Sequence, residues 1–225
     1  TDEISLGEND RLGALVATLI GADLLVILTD AAGVLSADPR LNVEAALIEE
    51  VAVVDAQLES AAGPGGPEGS GGMASKVAAA KIASWSGIPC VIAGAAEPDA
   101  VRRALSGEAV GTRIRARERR LGARKVWIAF ARPSRGRLVV DAGAVMALRS
   151  GGRSLLPVGI IEVHGDFQAG DAVEILDIDH RLVAKGLASC AQPLLQAAAG
   201  LPGKNLPPDF PGEAVHRSDL VVLSD

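Results

Sequence analysis

Apolar residues recur along this chain in two rhythms, one helical and one suited to strands. Between Arg11 and Gly21, Leu12, Leu15, Val16, Leu19 and Ile20 fall on one side of a predicted helix that closes at a capping glycine. Asp10 stands ready as its N-terminal residue. The next segment, Asp23 to Thr29, holds the unbroken run Leu24-Leu25-Val26-Ile27-Leu28, as expected of a strand covered on both faces of a parallel sheet. The order returns downstream. Met73 to Ser86 predicts a helix, Ile88 to Ala93 a buried strand, and Pro98 to Ser106 another helix with proline near its first turn. Helix and buried strand in alternation predict a layered α/β architecture for residues 1 to about 115.

From Lys125 the rhythm shortens. Lys125 to Phe130, Gly136 to Val140, Gly159 to Val163, Ala172 to Leu176 and Leu182 to Ala188 read as short strands separated by turn residues, a small barrel-like β domain. One helix, Ala142 to Ser150, interrupts them, and the arginine-rich stretch Arg113 to Arg124 reads as the connector. The expected division is therefore residues 1–115, a basic linker with the first strand over 116–135, and a second domain over 136–225. Ala61 to Gly72 and Gly200 to Gly212 are too rich in glycine and proline for regular structure, and loops of that length are usually functional or mobile.

Composition narrows the function classes. With 48% hydrophobic and 22% charged residues among 225, the chain has ample apolar mass for two cores. Only two Trp, three Phe and no Tyr leave few flat surfaces on which bases could stack. The net charge of -6 is uneven: residues 112–137 hold ten basic groups against one acidic, between two acidic regions. The longest apolar runs fall far short of a membrane span. Thr1 opens the chain without an initiator Met or a leader pattern and reads as a cut end. Cys90 and Cys190, one in each expected domain and without metal-type spacing, fit plain thiols in a reducing cytosol, so a cytoplasmic location is expected.

The sharpest local chemistry is Gly69-Ser70-Gly71-Gly72-Met73-Ala74-Ser75-Lys76, where glycines run straight into a predicted helix start. Such a junction offers free N–H groups and the positive end of the helix dipole to a phosphate, and Lys76 adds a full charge. The spacing is not that of the P-loop, since Val77 follows the lysine, and it does not fit the dinucleotide fingerprint. Alone, the pattern equally describes a flexible connector with a capping serine.

Context decides between them. Gly7-Glu8-Asn9-Asp10, then Leu28-Thr29-Asp30-Ala31-Ala32-Gly33-Val34 with Ala37-Asp38-Pro39-Arg40, then Gly71-Gly72-Met73 with Lys76, in that order, resemble the second half of the glutamate-phosphorylating branch of the amino-acid kinase family. Val140-Asp141-Ala142-Gly143-Ala144, Ser154 to Ile160, Gly165-Asp166-Phe167, Gly170-Asp171 and His216-Arg217 resemble the PUA domain that follows the kinase in that branch. Aspartokinases and uridylate kinases share the kinase fold without this tail. The resemblance implies a partial α/β/α kinase sandwich followed by a small, mainly-β PUA-like pseudobarrel.

It also implies roles. Asn9 matches a position that binds L-glutamate, and Asp10 the acidic residue that orients catalytic lysines. Thr29 and Asp30 match positions at the nucleotide. Ser70, Gly71, Gly72, Met73, Ala74, Ser75 and Lys76 match the loop over the ATP phosphates, with Lys76 stabilising the transferring phosphoryl group. Taken singly, Asp10 is an ordinary helix cap and Thr29-Asp30 a strand-ending turn. Their joint order carries the functional reading. Ser70, Ala74-Ser75 and Glu8 depart mildly from the family pattern. Its first glycine loop, with a lysine of its own, is expected before Thr1, so this stretch alone is expected to be inactive.

The implied reaction is ATP-dependent phosphorylation of the glutamate side-chain carboxylate, the first step of proline biosynthesis. Mg²⁺ is expected to arrive with ATP, and proline and self-association as regulators. The rival reading is an RNA-binding, regulatory or oligomerisation module. For RNA stands the basic stripe from Arg113 to Lys125; against it stand the net acidity of the last 88 residues and the scarcity of aromatics. His164, His180 and His216 lack ligand-type spacing, and Trp85 and Trp127 suit packing.

Overall fold

A computed structural model of the chain describes residues 9–37, 42–63, 72–118 and 120–223. They divide into two compact units, Thr1–Val126 and Trp127–Asp225.

The first unit runs α1 (Asn9–Ile20), β1 (Leu25–Thr29), β2 (Glu50–Val51), α2 (Ala56–Ala61), α3 (Met73–Trp85), β3 (Cys90–Gly94), α4 (Ala100–Ser106), β4 (Thr112–Ile114) and α5 (Ala123–Val126). Its sheet has the order β1-β3-β4-β2. β1 and β3 pair in parallel with Leu25 opposite Cys90, β3 and β4 are antiparallel, and β4 and β2 parallel. All five residues of β3 are buried, which is what an unbroken apolar run in a central strand requires. The short strands β2 and β4 and the one-and-a-half-turn α2 carry too little periodic signal to be expected from sequence. Gly111 has a positive φ of 60°, and a Cβ there would stand 2.1 Å from the Ile92 carbonyl oxygen. Only glycine lets the chain turn this close to β3 before β4 begins.

α1 differs from expectation in which side it buries. Ala14 and Ala17 are its buried residues, while Leu12, Val16, Leu19 and Ile20 are 45–74% exposed. The small side faces α3, whose Ala79, Ala80 and Ala83 are fully buried, so the two helices approach closely and the bulky side lies open.

The second unit begins with a π-helical turn, Trp127–Ala131, followed by β5 (Ser134–Val140), α6 (Ala142–Arg149), a 3₁₀ turn (Pro157–Gly159), β6 (Ile160–Gly165), β7 (Ala172–Leu176), β8 (Leu182–Leu187), α7 (Gln192–Ala198) and β9 (Leu220–Val222). The strand expected over Lys125 to Phe130 is thus helical. Its carbonyls explain why: those of Ala129 and Arg132 both accept from the buried Lys185 ammonium on β8, so this segment ends on a cation and not on a sheet edge. The five strands form one mixed sheet in the order β6-β5-β7-β8-β9, with β5 and β7 parallel and the other neighbours antiparallel. The core gathers Leu138, Leu148, Leu155, Phe167, Ile175 and Leu195, each at most 2% exposed. Asp141 caps α6 by accepting from the Ala144 N–H at 2.7 Å. α7 and β9 extend the domain beyond what its sequence rhythm predicts.

Candidate active site

The starts of α1 and α3 meet. Lys76 Nζ donates to Asp10 Oδ2 at 3.0 Å, and Ser75 Oγ lies 2.8 Å from the same carboxylate oxygen. The pair is largely shielded, with side-chain exposures of 11% for Lys76 and 20% for Asp10. At the other end of both helices Thr18 Oγ1 and Ser86 Oγ are 2.7 Å apart. Contacts at start and finish make α1 and α3 parallel, so their positive dipole ends converge beside Lys76. Gly72 occupies the N-cap of α3 in extended backbone with no side-chain cap, and its carbonyl lies 2.8 Å from Ser75 Oγ. The arrangement concentrates an ammonium and two helix starts around one ordering carboxylate, which suits a polyanion.

Each helix leads into its strand through a short link, residues 21–24 before β1 and 86–89 before β3. The chain therefore reverses, and each helix start lies towards the same sheet edge as its strand's C-terminal end. That edge is where open α/β sheets bind ligands. Thr29 ends β1 there, 7% exposed, donating from Oγ1 to Asp30 Oδ1 at 3.1 Å. Asp30 itself is exposed, as is Asn9 at the first position of α1. Asp10, Ser75 and Lys76 are directly hydrogen-bonded. Asn9, Thr29, Asp30, Gly72, Met73 and Ala74 stand on the flanking elements. Ser70 and Gly71, like Glu8 and Asp38-Pro39-Arg40, lie outside the described residues.

Sequence reasoning missed Thr112. Wholly buried, its hydroxyl accepts from the Val34 N–H at 2.8 Å and so pins the loop that follows Asp30. A polar residue opening a short strand after a glycine was the only available signal. The contact of Ser75 with Asp10 was equally invisible, since 65 residues separate them.

Burial, and secondarily the negative charge of Asp10, pushes the Cys90 thiol up to about 12. Burial also raises Cys190. Both are free thiols. Neither is expected to react with a thiol reagent such as DTNB at a pH of about 8 until the chain unfolds; fast labelling of the folded protein by mass spectrometry would contradict this.

Two arginines of the basic stripe have side-chain partners inside the first unit, Glu50 and Trp85. Arg115 donates twice to Glu50 at 2.7 Å, and the Arg117 guanidinium stacks 3.9 Å above the Trp85 ring. Among the described residues, no group of three or more His, Cys, Asp or Glu could hold a metal ion, and no helix is long and apolar enough to cross a membrane.

Comparison with known proteins adds to this geometry. Residues 1–94 match the model of the amino acid kinase family, and residues 136–206 that of the PUA domain. The glutamate 5-kinase of Burkholderia vietnamiensis is 44% identical over 232 residues, covering 99% of this chain and 61% of that protein. That of Nitrosospira multiformis is 45% identical over 228 residues, with the same coverage of 99% and 61%. Among solved structures, uridylate kinase from Archaeoglobus fulgidus is 28% identical with a TM-score of 0.35, covering 47% of this chain and 45% of that one. The chain spans about three fifths of the length of the relatives it matches. It joins a segment that matches the amino acid kinase family model to one that matches the PUA domain model, and over nearly its whole length it is similar to the glutamate 5-kinases.

Proposed function

We propose that the chain supplies part of the active site of an ATP-dependent kinase that phosphorylates the side-chain carboxylate of L-glutamate, giving glutamyl 5-phosphate in the first step of proline biosynthesis. The observation that carries this reading is the 3.0 Å pairing of Lys76 with Asp10 where two helices begin, in a chain similar to glutamate 5-kinases. A glutamate carboxylate oxygen forms a bond to the γ-phosphorus as the bond from that phosphorus to the bridging oxygen breaks, releasing ADP. No proton moves, so the protein's task is to position and neutralise. Lys76 meets the charge spreading over the transferring group, and Asp10, itself only a positioning residue, fixes its ammonium.

Asn9 binds glutamate on this reading. Thr29 and Asp30 stand at the nucleotide, and the loop from Ser70 to Lys76, including Gly71, Gly72, Met73, Ala74 and Ser75, covers its phosphates. Mg²⁺ would arrive with the nucleotide and supply charge neutralisation at its phosphates. The same reading makes the enzyme a cytoplasmic homo-oligomer that responds to proline.

The test uses a protein carrying this chain together with the rest of the kinase domain. ATP and L-glutamate are supplied, ADP release is followed, and the acyl phosphate is trapped with hydroxylamine. Glutamate-dependent hydroxamate is expected; ADP release indifferent to glutamate would overturn the assignment. Asp10→Asn is expected to lower kcat by roughly 10- to 100-fold, as a displaced catalytic group does, while the KM for ATP changes less. An unchanged kcat would remove Asp10 from its role.

A further inference from the structure

We propose that the second unit carries a binding site for a small aliphatic carboxylate, in the cavity bounded by α6, the loop that follows it and the segment 213–217. The cavity measures about 610 Å³, within the range of small-molecule sites. Its shape is preformed by backbone constraints. Gly151 and Gly152 take positive φ values of 81° and 69° and turn the chain off α6. Gly159 then brings it back so close that a Cβ would stand 2.6 Å from that of Ala144. Leu155 N–H donates to the Val215 carbonyl at 2.9 Å, and Arg217 N–H to Ser154 Oγ at 3.0 Å, which ties the opposite wall to the loop.

The lining has two parts. Its apolar part includes Leu156 and Val158, 48% and 52% exposed, two aliphatic side chains held open to solvent on a concave surface. Its charged part holds two carboxylates, both with partners, and two guanidiniums. The carboxylate of Asp141 caps α6, and that of Glu213 lies 3.8 Å from His216. Arg153 and Arg217 also line the cavity, and neither guanidinium has an ion-pair partner among the described residues. Two cations beside an aliphatic floor match a hydrocarbon body ending in a carboxylate, which a guanidinium grips through two parallel hydrogen bonds. No Phe, Tyr or Trp lines the cavity, and the imidazole of His216, beside Glu213, is the one aromatic ring in its lining, a small stacking surface for a nucleobase. The inference is independent of the kinase reading.

Hexanoate is the probe, titrated into the ¹⁵N-labelled 225-residue chain and followed by NMR. Saturable shifts are expected at the amides of Ala144, Leu156 and Val158. Hexanamide, equal in shape but uncharged, is expected to bind at least about tenfold more weakly. So is hexanoate to the Arg153→Ala/Arg217→Ala double variant, whose exposed substitutions leave the melting midpoint unchanged. Leu156→Asp, which sets a carboxylate on the apolar floor, is expected to abolish the shifts. The proposal is overturned by unsaturable or absent shifts with hexanoate, by equal binding of hexanamide, or by undiminished affinity in the double variant. It is equally overturned if a structured RNA hairpin moves the same amides at lower concentration than hexanoate does.

Discussion

Replacing Lys76 with alanine is expected to lower turnover by roughly 10²-fold or more, the usual cost of losing a charge contact made in the transition state. The expectation rests on position. Lys76 follows the first turn of α3, its side chain is 11% exposed, and its ammonium is held 3.0 Å from Asp10. A cation so shielded interacts more strongly with a neighbouring phosphate than one in open water. Phosphoryl transfer leaves the protein little covalent chemistry to perform, so removing the charge removes much of the catalysis. The loss belongs in kcat more than in the KM for ATP, because spreading charge on the moving group is greatest in the transition state. Folding survives the change, since Ser75 still contacts Asp10. Steady-state kinetics of the variant, in a protein that includes the remaining kinase part, decide it. Near-normal kcat would count against the phosphoryl-transfer role.

Phe167→Ala is expected to destabilise the second unit by about 3–5 kcal/mol, the range for emptying a large aromatic site in a packed core. Phe167 is 1% exposed. Its ring lies so close over Gly136 on β5 that a Cβ at that glycine would come within 2.3 Å of it, so no neighbour on β5 can move in to fill the gap. The Phe167 carbonyl also accepts from Gln192 N–H at the start of α7, which couples the ring's position to that helix. A loss of this size corresponds to a fall of about ten degrees or more in the unfolding midpoint. Calorimetry of the variant would show the second transition shifted or lost; an unchanged midpoint would mean that the core closes without the ring. The Gly165-Asp166-Phe167 run, read from sequence as a family signature, is on this account a packing device.

The sequence on its own determined the parts of this protein that depend on neighbours along the chain. The period of apolar residues placed α1, β1, α3, β3 and α6 to within two residues at every end, because helix and strand each impose their own spacing on whatever side must be buried. Glycines before Met73 announced an anion-accepting helix start, since that property belongs to the local backbone. Where distant groups compete, only the tertiary structure decided. The segment after Lys125 has a strand's composition, yet Lys185, some fifty residues on, collects its carbonyls and holds it helical. The leucine side of α1 has the larger apolar area, yet the alanine side is buried, because close packing against α3 rewards small side chains. Asp10 and Lys76 lie 66 residues apart, and no periodicity in either helix states that the two run parallel and in register. That alignment is a property of their packing, and it is what turns two ordinary helix starts into one candidate site.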